Sequence, residues 1–151
     1  MATIKKVVGT RTSLTTTALN SLASATYVSC GSITHNTNQP LDVLVEVTIT
    51  PGTVSGNKQI VVFAKISLDG TTYSTGPETG TVSTDEYDLY YVGTVPVGTA
   101  SAVQTKTFSL AAALGGVLPY ASKIIVKNDS GAALNASGGS VYYSEISATV
   151  S

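Results

Sequence analysis

The chain has no tryptophan, one methionine, one histidine and one cysteine. A lone cysteine excludes an intrachain disulfide, and one cysteine with one histidine does not make a zinc ligand set. Charge is also scarce: eight Lys and Arg stand against nine Asp and Glu, for a formal net charge of −1. That balance offers no global attraction to nucleic acid or to an anionic membrane. No segment approaches the roughly 20 apolar residues of a membrane span. The N-terminus, Met1 to Arg11, lacks the apolar run of a signal peptide, so synthesis and retention in a cytoplasm are expected. There is no G-x-S-x-G elbow, P-loop or Rossmann glycine fingerprint, so neither a cofactor nor a catalytic set is expected.

What is abundant is β-forming. Ser and Thr supply 41 of the 151 residues and Val another 18, a composition suited to pleated, half-buried surfaces. The length fits one domain spanning 1–151 with a full core. The clearest segment is Leu41 to Thr50: Leu41, Val43, Val45, Val47 and Ile49 alternate with Asp42, Leu44, Glu46, Thr48 and Thr50. Period-two alternation makes a strand with one dry face and one mostly wet face.

Further strands are expected at 3–10, 27–34, 59–68, 87–92, 103–110, 123–128 and 140–150. Val61 and Phe63 make the second face of 59–68 apolar as well, as in a covered strand. Asp69-Gly70 signals a tight hairpin into Thr71-Thr72-Tyr73. Residues 13–25 read as extended or turn-like, and 74–86 and 93–102 as loops. Ala111 to Gly116 reads as one helical turn stopped by Gly115. About eight or nine strands with regular turn signals predict an all-β fold, a single antiparallel β-sandwich resembling a jelly roll, with at most one or two helical turns.

Candidate sites are few. His35 lies in a Thr/Asn loop, where solvation is the default. Glu78, Asp85, Glu86 and Asp88 cluster near the longest loop. They lack calcium-loop spacing, and adjacency in one loop does not establish the separated carboxylate pair of a glycosidase. Tyr87, Tyr90 and Tyr91 are more promising. Alternation sets Tyr87 and Tyr91 on one face and Tyr90 on the other, where they would stack on a sugar, fill a partner's pocket or pack as cross-strand tyrosines. Lys5, Lys6 and Arg11 form a small basic cluster, which reads first as a solvated strand face. Asn128-Asp129-Ser130 and Asn135-Ala136-Ser137 match the short glycosylation pattern.

Several runs together resemble the small structural proteins of tailed bacteriophages: Leu19-Asn20-Ser21-Leu22-Ala23, Leu41 to Val47, Ser67-Leu68-Asp69-Gly70-Thr71, Phe108-Ser109-Leu110, Gly116-Val117-Leu118-Pro119, Lys123 to Asn128 and Val141-Tyr142-Tyr143. The likeness is one of style across the chain. It implies a non-enzymatic decoration or cement β-sandwich on the exterior of the virion, made in the host cytoplasm, bound to the major capsid protein and homo-oligomeric, with trimers common. The alternative it implies is a tail or fibre component, and Tyr87, Tyr90 or Tyr91 as a stacking platform would make that a carbohydrate-binding module. By the same analogy residues 1–12 form an N-terminal arm or edge strand, with Ile4, Lys5, Lys6, Val7, Val8 and Arg11 as its contacts.

Overall fold

The computed structural model describes residues 3–55, 58–98 and 101–150. Among them lie nine strands: β1 (Ile4–Val8), β2 (Thr12–Thr15), β3 (Thr26–Thr34), β4 (Asp42–Ile49), β5 (Gln59–Ser67), β6 (Tyr90–Pro96), β7 (Gln104–Ser109), β8 (Ala121–Asp129) and β9 (Ser140–Val150). A single α-helical turn, α1 (Leu110–Ala113), follows β7, and a 3-10 turn covers Glu86–Asp88.

One sheet has the order β1-β9-β4-β7, with β2 also on β9; the other runs β3-β8-β5-β6. Every pairing is antiparallel. Setting β1 aside, β2 pairs with β9, β3 with β8, β4 with β7 and β5 with β6, so one long ribbon is folded over on itself. Eight strands wound this way in two sheets form a jelly roll.

The alternation seen in the sequence builds the core. Val43, Val45, Val47 and Ile49 of β4 have no solvent exposure, and they meet Ile60, Val62 and Ala64 of β5 and Ile124 and Val126 of β8. Leu41, the first member of that alternating series, falls just before β4 and is exposed. The expectation that β5 is covered on both faces is met: Val61 and Phe63 form a second apolar cluster with Tyr27, Ile125 and Leu89 on the outside of their sheet. The residue 68–89 connection supplies Leu89 to that cluster. It also hydrogen-bonds to β3 through Tyr27 N–H and Gly80 O at 2.8 Å.

Three expectations need correction. Tyr87 is on the 3-10 turn, outside any strand, and β6 runs on through Gly93 to Pro96 where a loop was expected. Gly93 belongs there because a Cβ would sit 2.4 Å from Phe108, and Pro96 is tolerated because β6 is an edge strand. Asp69-Gly70 does reverse the chain, but Tyr73 makes only an isolated bridge to Ser67. The Asp69 carboxylate accepts from the N–H groups of Thr72 and Thr71 and from the Ser67 hydroxyl, which together hold it well below the usual carboxylate range. That closed turn takes the place of a second hairpin strand.

Candidate functional site

β1 and β2 run one after the other along the edge of β9. β4 pairs with β9 only as far as Asp42 opposite Ile146, and Leu41 N–H then donates to Ile146 O at 2.7 Å. Beyond that point Ser147–Val150 pairs with β1 alone, from Ile4 opposite Val150 to Val7 opposite Ser147. The result is a two-stranded ribbon outside the four-stranded body of its sheet. All five residues of β1 are exposed, including Ile4 at 73% and Val8 at 63%, as is Val150 at 72%.

Backbone parity shows which groups the ribbon leaves open. Gly9 N–H donates to Glu145 O at 2.7 Å. By the alternation of an antiparallel ladder, Val7 and Lys5 also bond towards β9, and Ile4, Lys6 and Val8 turn their N–H and C=O groups away from it. No strand pairs with β1 on that side among the described residues. Lys5 and Lys6 make no ion pair among the described residues, whereas the charge of Arg11 is engaged. Arg11 stacks over the Tyr142 ring at 3.4 Å and its Nε donates to Glu46 at 3.1 Å. The structure therefore separates Arg11 from the other five expected contact residues.

The ribbon leaves the sandwich at the end formed by the 35–41, 68–89 and 110–120 connections. Leu41, Leu68 (82% exposed), Val117 and Tyr120 are exposed there around a cavity of about 560 Å³. Of thirteen exposed large apolar side chains among the described residues, eight belong to this end or to the ribbon: Ile4, Val7, Val8, Leu41, Leu68, Val117, Tyr120 and Val150. At the opposite end, hydrogen bonds tie described loops together. Leu134 N–H donates to Leu22 O, Asn135 N–H to Thr50 O and Gly52 N–H to Ala133 O. Asn128, wholly buried, donates to Leu22 O at 2.8 Å and Ala132 O at 2.7 Å. Its amide is thus a structural clamp, closed to glycosylation in the folded chain.

His35 departs from the solvated loop residue expected. It is 2% exposed, and its Nε2 lies 3.0 Å from Ser122 Oγ. Burial lowers its pKa, and the charge of Glu145 offsets this only in part. A serine beside a histidine is the start of a nucleophile–base pair, but Ser122 has no exposure and, among the described residues, His35 Nδ1 has no hydrogen-bond partner to orient it. Glu145 Oε2 instead accepts from Asn38 at 2.7 Å.

Two of the four acidic residues of the loop, Glu78 and Glu86, are engaged in ion pairs. Glu78 lies 2.7 Å from Lys65 Nζ and 2.9 Å from Lys123 Nζ, and Glu86 lies 2.7 Å from Lys127 Nζ. These contacts strap the loop across the outer face of β5 and β8, and among the described residues no group of three potential ligands is placed to hold a metal ion. The tyrosines divide. Tyr91 lies edge-on to Phe63, with ring centroids 6.3 Å apart, and its hydroxyl is 2.7 Å from Thr94 Oγ1. Tyr87 is fully exposed and shares a groove with Tyr90.

Sequence reasoning missed the apolar end because it placed Leu41 and Leu68 on the apolar faces of strands, whereas both fall just outside β4 and β5 and are exposed. No family model matches this sequence, and no curated protein is significantly similar to it.

Proposed function

We propose that this chain is a non-enzymatic virion structural protein, a decoration or cement domain that docks on the major capsid protein shell through the β1·β9 ribbon and the apolar end beside it. The observation that carries this reading is the ribbon itself. An isolated two-stranded pairing is marginally stable in water. Here it extends past the body of the sheet with Ile4, Val8 and Val150 in solvent and the backbone groups of Ile4, Lys6 and Val8 directed outward. Such an edge accepts an added strand. Lys5 and Lys6 discourage self-pairing, since the antiparallel register of fullest overlap places Lys6 against Lys6 of a second copy. They favour a partner strand or surface bearing carboxylates.

The geometry supports this role. A sandwich with one apolar, basic-tipped end adds buried area across joints between shell subunits and so resists the pressure of packaged DNA. Its low charge and hydroxyl-rich faces suit a protein packed among others.

The test is to measure the mass of the purified chain in solution, to establish its oligomeric state, and then to pellet it with capsid shells assembled without it. Saturable co-sedimentation at a fixed ratio to the major capsid protein is the expected result. Absence of binding to shells at any ratio overturns the reading.

A further inference from the structure

A second surface, remote in sequence from the ribbon, is built around Tyr87. The side chain is fully exposed. Yet the backbone beneath it is pinned on every side. Lys127 pairs with Glu86, one residue before it. The Asp88 carboxylate accepts from the Thr75 hydroxyl, one residue after it. Leu89 is buried in the outer apolar cluster. Asp88 N–H donates to Asp85 O at 3.0 Å and Leu89 N–H to Glu86 O at 3.0 Å. Asp85, before the turn, holds a left-handed conformation at φ +60°, one that aspartate tolerates in turns. A solvated loop would not need this many restraints to present one ring.

Beside the ring lies a groove of about 580 Å³ lined by Ser74, Thr75, Tyr87, Asp88, Leu89 and Tyr90, a size within the range of roughly 300–1,000 Å³ for small-ligand sites. Its chemistry is mixed: two aromatic rings, two hydroxyl residues and one carboxylate. No lysine or arginine lines it, so it does not suit a phosphate or sulfate. Nor is the ring set in an apolar surround, as the anchor of a protein interface is. An aromatic face beside carboxylate and hydroxyl acceptors matches a neutral sugar, whose C–H face lies on the ring while its hydroxyls donate to Asp88.

We propose that the Tyr87–Tyr90 groove binds a neutral hexose unit of a glycan, with Tyr87 as the stacking platform and Asp88 as the hydroxyl acceptor. Tyr91, committed to Phe63 and Thr94, takes no part. The proposal does not rest on the shell-binding reading, and its test contains no shells.

The experiment is saturation-transfer difference NMR on the intact chain. The probes are the methyl glycosides of glucose, galactose, mannose and N-acetylglucosamine, with maltotriose and triacetylchitotriose as longer ligands. Transfer to the ring protons of at least one probe is expected. Tyr87→Ala should weaken that binding by about tenfold or more, the effect of losing one principal aromatic contact, and Asp88→Asn should weaken it too, whereas Tyr91→Phe should leave it unchanged. Tyr87 is fully exposed, so its substitution leaves the fold intact and its result readable. No transfer to any probe, or equal transfer in the Tyr87→Ala chain, overturns the proposal.

Discussion

Glu78 Oε1 lies 2.7 Å from the Nζ of Lys65, a lysine with only 6% exposure on the outer face of β5. The partner carboxylate comes from the long connection that crosses this face, so the ion pair fastens loop to sheet. Breaking a buried pair from one side leaves an uncompensated charge. Glu78→Gln should therefore destabilise the fold by about 2–3 kcal/mol, a value discounted because the carboxylate is partly exposed. It should also make residues 74–88 susceptible to limited proteolysis. Replacing both partners, as Lys65→Met with Glu78→Leu, should cost less than Glu78→Gln alone. Urea unfolding of the three chains checks the order.

The same carboxylate predicts an acid transition. Burial pushes the pKa of Glu78 up, but the hydrogen bonds and charges of Lys65 and Lys123 outweigh it and hold the value below the ordinary 4.5. A carboxylate with a depressed folded pKa contributes stability that is present above its unfolded value and is lost as pH falls through its folded value. The loop strap should weaken below about pH 4.5, seen as proteolysis of 74–88 at a pH where the core strands still hold.

His35 acts at higher pH. Burial lowers its pKa from the ordinary 6.5, so the unfolded chain takes up a proton more readily than the folded one. Its neutral form is matched to the fold above that value, and stability should decline as pH falls below it. The melting temperature should drop between pH 7.5 and 5.5, and His35→Gln should flatten the drop. Parallel slopes for the two chains would remove His35 as the cause.

Cys30 is 3% exposed in the main core, and burial pushes its thiol up to about 12. A protonated, enclosed thiol is inert. A disulfide reagent at pH 8 should leave the native chain unlabelled and react with one thiol per chain in urea. Stoichiometric labelling of the native chain within minutes would contradict the packing described.

Much of the fold was legible because side-chain alternation reports burial directly. The odd positions of β4 and both faces of β5 could be assigned from the residue pattern alone. The breakdown came where tertiary contact overrode local signals. Gly93 and Pro96 look like loop residues, but Gly93 makes room for Phe108 and Pro96 sits on an edge. His35 looks solvated in a polar loop, but it is buried against Ser122. For the candidate site, β1 was readable as a strand with outward lysines. That Arg11 would turn back to Tyr142 and Glu46 was not, because its partners lie far along the chain and meet it only across the sheet. The apolar end was likewise missed, because Leu41 and Leu68 read as members of apolar strand faces but fall just outside β4 and β5.

The most direct measurement is a paired one on the chain with residues 1–9 deleted: its unfolding midpoint, and its co-sedimentation with capsid shells beside that of the intact chain. β1 buries little, so the deletion should cost about 1 kcal/mol or less and leave the sandwich folded, while binding to shells is lost. A truncated chain that still saturates the shells at the same ratio would contradict the account.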